Sequence, residues 1–352
     1  MEEEHSMDPP SRRPSRPPST CAPAPHFPTL LNVSHVQFSS RAEDIQAGLI
    51  DTFLNLEKID KNLFVARHLL KGRLSLPHVY GGQVIGQSLS AATATVASGF
   101  IPNSMHSYFI QSGNVDQPIL YQVDPIRDGR SFCTRLVKAV QNGEAIFTVQ
   151  ISFHRPEPDS IVHQVAMPEV PSPENLMDWT EILEKASKME LPAAMKAMVK
   201  FRREEIPSAF YRVFSFRPVD VDFILKPDKM DSKPHHDQFK TYVWIKVNEN
   251  IGDDPRLHAA AAAYISDATM IETALRPHSR RGFIPSMALT LDHCIWMHSD
   301  RFRVDDWLLY ENHSTIAGGS RTLIEGKLWT RDGRLVFSTS QEALIRAPKS
   351  KH

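Results

Sequence analysis

Apolar and polar positions alternate along two stretches of this chain, and each stretch is led by a segment of helical composition. In the first, Leu63–Arg67 is a short apolar run, and Gly81–Val96 reads as a helix after a glycine-rich entry. Met105–Ile110, Ile119–Asp124, Ser131–Gln141 and Glu144–His154 follow with the period of two expected of half-buried strands. Asn142-Gly143 separates the last two and predicts a tight hairpin. In the second, Lys240–Val247 reads as a strand and Leu257–Leu275 as one long helix. Ala288–Met297, Trp307–His313, Ser320–Arg331 and Arg334–Ile345 read as strands, with Asp332-Gly333 at the last turn.

The two stretches share a register. Gly129, Gly143 and Phe147 correspond to Gly319, Gly333 and Phe337, each 190 positions further on. With the same order of elements in both, this predicts an internal duplication. A long helix followed by antiparallel strands predicts a sheet curled around a central helix, and two such units can join edge to edge and hide their unpaired strand groups. The expected class is therefore α+β, a double hot-dog of two tandem units, each an antiparallel sheet wrapped around a long central helix.

The remaining segments differ in character. Residues 1–45 hold a Pro/Ser/Arg-rich stretch, including Pro9, Pro10, Pro14, Pro17 and Pro18, that buries too little apolar surface to offset the cost of ordering. The expected organisation is this extension, an N-terminal hot-dog over 46–155, a connector over 156–237 with a helix at Asn175–Met189, a C-terminal hot-dog over 238–347, and a tail over 348–352. The length of 352 residues suits two domains plus tails. A formal net charge of -1 gives no basic excess for nucleic acid. Cys21, Cys133 and Cys294 are odd in number and widely spaced, which favours a reducing compartment over a disulfide framework. No apolar run approaches a membrane span, and Glu2, Glu3 and Glu4 do not suit a signal or mitochondrial presequence.

Two polar residues, Asp267 and Gln341, stand out by position, and a third, Thr290, is a weaker candidate. Ala260, Tyr264, Asp267, Ile271 and Ala274 lie on one helical stripe, which places a carboxylate among apolar neighbours. If that face is buried, the acid must be paired or its pKa must rise, and either suits a general base; if the helix is rotated, Asp267 merely meets solvent. On the last strand, Phe337, Thr339, Gln341, Ala343 and Ile345 share a face, so Gln341 points to the apolar side, where it either holds a water or satisfies nearby backbone. Thr290 is a hydroxyl on the strand Ala288–Met297, where alternation puts it with Asp292, Cys294 and Trp296 and puts Asp292 and His293 on opposite faces. As an isolated strand threonine it needs no explanation beyond β propensity. The first unit lacks this set: Ile151 stands where Gln341 stands, and Gln150 falls on the other face. One functional centre per chain is expected. Gly81, Gly82 and Gly86 do not form a dinucleotide fingerprint and read as helix packing, and Ser88 is a weak match to a nucleophile elbow. His235-His236 read as solvated.

At these residues the chain resembles the type II acyl-CoA thioesterases, the TesB-type family that includes the peroxisomal enzyme of eukaryotes. The resemblance spans about residues 52–346. It is carried by GGQVIGQSL at 81–89, HSYFIQSG at 106–113, LYQVDPIRDGRSF at 120–132, AAYISD at 262–267, ALRPH at 274–278, TLDHCIWMH at 290–298 and TSQEALIR at 339–346. It implies hydrolysis of fatty acyl-CoA to a fatty acid and CoA by a water held by Asp267, Thr290 and Gln341, without a covalent intermediate. It further implies no metal or redox cofactor, an acyl-CoA substrate and a homo-oligomer. Oxyanion donors are not identified by it. Ser350-Lys351-His352 is close to, but not, the Ser-Lys-Leu address, so a peroxisomal location is expected on the tail, with the cytoplasm otherwise. The competing readings are a hot-dog hydratase or dehydratase using Asp292 and His293, and a non-catalytic acyl-CoA-binding protein.

Overall fold

The computed structural model describes residues 54–226 and 239–348. The extension, His235-His236 and Ser350-Lys351-His352 lie outside the described residues. Twelve strands form a single antiparallel sheet in the order β1-β2-β4-β5-β6-β3-β9-β12-β11-β10-β8-β7. The first six are β1 (Glu57–Asp60), β2 (Leu63–Ala66), β3 (Ile101–Phe109), β4 (Ile119–Asp128), β5 (Phe132–Gln141) and β6 (Glu144–His154). The second six are β7 (Phe214–Pro218), β8 (Lys240–Val247), β9 (Met287–Met297), β10 (Leu308–Gly318), β11 (Arg321–Thr330) and β12 (Leu335–Arg346). The halves meet where β3 pairs with β9, with Met105 opposite Ile295 and Ser107 opposite His293. That seam leaves only the short strands β1 and β7 as sheet edges.

Each half curls around its own helix, α1 (Gly81–Thr93) in the first. Between the halves lie α2 (Trp179–Ser187), α3 (Ala193–Glu204), α4 (Ser208–Val213) and α5 (Asp222–Leu225), and the second half holds α6 (Pro255–Ser266) and α7 (Met270–Arg280). The inner face of the sheet supplies the core: Met105, Phe147, Val149, Ile151, Ile295 and Phe337 are all buried. Helices α1 and α6 approach closely because both are lined with small residues. A methyl group on Gly82 would overlap the Tyr264 carbonyl oxygen, and one on Gly86 would lie 2.9 Å from that of Ala260. Ala259 to Ala263 are all buried.

The structure departs from the sequence expectations at three places. The helix expected over Leu257–Leu275 is two helices, broken at Asp267–Thr269. The break follows Ser266, whose hydroxyl oxygen lies 2.8 Å from the Ala263 carbonyl oxygen, within a run of short polar side chains that compete with the helix backbone. Asp254 caps the start of α6 by accepting from the Arg256 amide, with Pro255 in the first turn. The stretch read as a connector adds β7 to the sheet and lays Met167, Val170 and Leu176 over the outward-facing Trp244, Leu309 and Trp329. The two hairpins also differ: Asn142 (φ 50°) and Gly143 (φ 85°) make a two-residue turn, while four residues separate β11 from β12 with Gly333 alone in the left-handed region. The helices of the described residues include none long and apolar enough to cross a membrane.

Candidate active site

Asp267 closes α6 and faces the entry of α1. The Gly82 backbone amide donates to its carboxylate, and a methyl group on Gly81 would stand 2.9 Å from its Oδ2. The glycine pair thus serves two ends. Gly82 and Gly86 let the helices touch, as the sequence implied, and Gly81 makes room for the acid. Asp267 keeps helical backbone angles (φ −80°, ψ −10°) as the C-cap of α6, so it stays on the expected stripe although the helix ends there.

Thr290 and Gln341 reach the acid from two neighbouring strands. The Thr290 hydroxyl donates to Asp267 Oδ1 at 3.2 Å, and Gln341 Nε2 donates to Thr290 Oγ1 at 2.7 Å. Gln341 also donates to the Asp267 carboxylate. The amide is fully buried on the inner face of β12, where alternation placed it. Thr290 required more than alternation. Asp292 pairs with Glu342, but Thr290 pairs with Ala343, so Leu291 is an extra residue in β9. This β-bulge turns Thr290 onto the inner face with His293 and Ile295. Its expected companions Asp292, Cys294 and Trp296 are therefore not its companions; the bulge, unlike the alternation, leaves no clear mark in the sequence.

Burial dominates the electrostatics. Loss of solvent raises the Asp267 carboxyl from its ordinary value of 3.8 to about 7, with the donors Thr290, Gly82 and Gln341 pulling the other way. Tyr80, Tyr264 and Tyr310 surround it, each with its phenol pushed up by burial and by the negative charge of Asp267. They remain neutral wherever the acid titrates. The result is a carboxyl poised between its two forms near neutrality, which suits it to take a proton and return it.

Asp267 and Thr290 open into a cavity of about 400 Å³. Its walls are mostly apolar: Met198, Phe201 and Ile206 from the α3 side, Ile271 and Leu275 from α7, and Leu289 from β9. Sequence reasoning missed the α3 wall. The signal was present in Ala194, Met195, Met198 and Val199, spaced as one face of a helix. Arg202 of α3 pairs with Glu272 of α7 at the cavity wall, tying roof to floor.

Other sequence candidates are placed elsewhere. Ser88 is buried within α1, and Asp292 accepts from the Glu342 amide at 2.8 Å outside the trio. His293 does not pair with Asp292; it bonds Gln341.

Two curled sheets sharing a seam, each around its own helix, make this a double hot-dog protein. Comparison with known proteins carries the assignment further. A family profile described as "Acyl-CoA thioesterase" matches residues 222–344, and one described as "Acyl-CoA thioesterase N-terminal domain" matches residues 72–154. Acyl-coenzyme A thioesterase 8 of Homo sapiens is 37% identical over 308 residues, covering 86% of this chain and 90% of that one. The Saccharomyces cerevisiae protein named peroxisomal acyl-coenzyme A thioester hydrolase 1 is 26% identical, covering 84% and 94%. The crystal structure of acyl-CoA thioesterase II TesB2 from Mycobacterium marinum superposes with a TM-score of 0.66 at 33% identity, covering 85% of this chain and 99% of that one. The chain belongs to the acyl-CoA thioesterase family, and it hydrolyses acyl-CoA thioesters. The hydratase and non-catalytic binding readings give way to this.

Proposed function

We propose that the hydrolysis is carried out at Asp267, Thr290 and Gln341, with the acyl chain lying in the cavity beneath α3. The observation that carries this reading is the mutual bonding of an acid, a hydroxyl and an amide, the first two of which line an apolar cavity. Asp267 takes a proton from water as the water oxygen attacks the thioester carbon. Thr290 and Gln341 orient that water, Thr290 through the remaining lone pair of its hydroxyl oxygen and Gln341 through the bonds that hold Thr290 and the carboxylate in place. The carbon–sulfur bond then breaks, and the proton held by Asp267 passes to the departing CoA thiolate.

Single-turnover hydrolysis in ¹⁸O-labelled water tests direct attack by water. The expected fatty acid carries one labelled oxygen from the first turnover. An unlabelled first-turnover acid, with label entering Asp267 instead, would show that the carboxylate attacks and overturn the reading.

Two further parts of the reading are coarser. Association into a homo-oligomer is supported by the general tendency of hot-dog units to associate, and sedimentation of a monomer at micromolar concentration contradicts it. A peroxisomal location is supported by the name of the yeast relative and by the near-match of Ser350-Lys351-His352. A fluorescent fusion to the last dozen residues that stays diffuse removes the tail from that argument.

A further inference from the structure

One buried titratable group next to the trio has no part in the chemistry above. His293 is 1% exposed, and its ring stands between Ser266 and Gln341. Nε2 lies 2.8 Å from Ser266 Oγ, and Nδ1 lies 3.0 Å from Gln341 Oε1. Gln341 and His293 are directly opposite on β12 and β9, so the contact is built into the register of the sheet.

We propose that His293 is a positioning residue for this reaction: as the Nδ1–H tautomer, held by Ser266, it fixes which way the Gln341 amide faces and thereby keeps the Thr290 hydroxyl donating its hydrogen bond to Asp267. The proposal rests on the Asp267–Thr290–Gln341 reading and deepens it.

Counting donors and acceptors leads there. Asp267 as a carboxylate only accepts, so Thr290 must give it the hydroxyl proton. Thr290 Oγ1 must then accept from Gln341, which requires the NH₂ group of the amide to face Thr290 and Asp267. Oε1 is left facing His293, where only an N–H can meet it. A neutral imidazole with its proton on Nδ1 has a lone pair on Nε2, and Ser266 supplies the hydroxyl proton to that. Every hydrogen in the chain Ser266–His293–Gln341–Thr290–Asp267 then points toward the acid.

The other tautomer reverses this order. With the proton on Nε2, Ser266 accepts from the ring and donates its own hydrogen bond to the Ala263 carbonyl, 2.8 Å away. Nδ1 would then need the amide NH₂, and Gln341 would turn its oxygen toward Thr290 and the carboxylate. Thr290 would have two acceptors for one proton. That arrangement fits only a protonated Asp267, which can donate. The tautomer of a histidine that never touches the substrate therefore selects the ionised, base-competent form of the acid. Burial holds the imidazole pKa down to about 4, so the ring is neutral, and the bookkeeping applies, throughout the range in which Asp267 titrates.

The test compares full-length wild type with His293→Leu, His293→Asn, Ser266→Ala and Asp267→Asn by thiol release, reading kcat, KM and the pH profile separately, with thermal melting to establish folding. His293→Leu removes the donor; kcat should fall about tenfold to a hundredfold, the range set by losing a hydrogen bond in a chain that ends on a charge, with KM changed less than about twofold. The acidic limb of kcat/KM should move to higher pH. His293→Asn, whose side-chain NH₂ can occupy the Nδ1 position, should recover most of kcat and return the limb. Ser266→Ala leaves the ring in place and removes the proton it accepts; it should lower kcat and move the limb in the same direction. This variant decides the matter if His293→Leu does not fold. A folded His293→Leu or Ser266→Ala enzyme with an unmoved limb overturns the proposal, as does a kcat loss in His293→Leu that His293→Asn fails to recover. Asp267→Asn separates the two levels: if it retains turnover, the underlying trio is wrong, whereas if it is inactive while the His293 and Ser266 variants match wild type, only this inference fails.

Discussion

At Asp267 the same loss of solvent that would suit the residue to proton transfer works against the stability of the fold. A carboxyl raised from 3.8 to about 7 binds its proton more tightly in the folded chain than in the unfolded one. Its contribution to stability is present below about pH 4 and is lost as pH rises through about 7. Asp267→Asn keeps an acceptor for Thr290 and the Gly82 amide but carries no charge. The variant should melt higher than wild type, with a larger gain at pH 8 than at pH 5; equal gains at both, measured by calorimetry, would contradict the raised pKa. The same value fixes the rate profile. Tyr80, Tyr264 and Tyr310 stay neutral, so of these four neighbouring groups Asp267 is the one that titrates in this window. kcat/KM should rise tenfold per pH unit below about 7 and level off above it. At this scale the sequence was informative about identity and poor on reasons. Asp267 and Gln341 could be picked out because a charge and an amide interrupted apolar patterns. Thr290 could not, because strand threonines are common and its orientation depends on a bulge.

The elements show why. Alternation along a strand is legible until a residue is inserted, and Leu291 is such an insertion. A single register slip exchanges the two faces, so alternation grouped Thr290 with Asp292, Cys294 and Trp296 when the bulge puts it on the opposite face. Helix α6 could be read from its alanines, but its end could not: the break falls on Ser266 to Thr269 rather than on glycine or proline. The glycine pair that opens α1 gives two separable tests. Gly82→Ala drives a methyl group into the Tyr264 carbonyl, a backbone atom that cannot step aside, and should destabilise the fold by about 1–3 kcal/mol in urea titrations. Gly81→Ala meets the carboxylate of Asp267 and the ring edge of Phe109 instead. It should cost more in kcat than in stability. A Gly81→Ala enzyme of normal kcat would mean that the first turn of α1 has no part in the site.

Across the whole molecule, duplication explains most of what was legible. The shared displacement of glycines and a phenylalanine, together with the two hairpins, predicted two like units, and the sheet order bears the pairing out. The first unit carries Ile151 where the second has Gln341, and it serves the site through β3 at the seam and through α1. The part between them was read as mere connection because prolines and polar runs mask its short helices. It instead supplies the roof of the cavity, where α3 lies over α7 and the Arg202–Glu272 pair joins them. Met198→Trp should fill this space and lower kcat/KM for long acyl chains by about tenfold or more while sparing short ones, since each lost methylene contact costs about 0.8 kcal/mol. A uniform loss across chain lengths would place the acyl group elsewhere.

The central claim is that one buried carboxyl, at the break between two helices, handles the proton of the attacking water. Thiol release by folded Asp267→Asn at saturating acyl-CoA and pH 8 tests it most directly. The account predicts a fall in kcat of about a thousandfold, within the range of about 10²–10⁴-fold that general acid–base catalysis contributes. A rate within tenfold of wild type would contradict it.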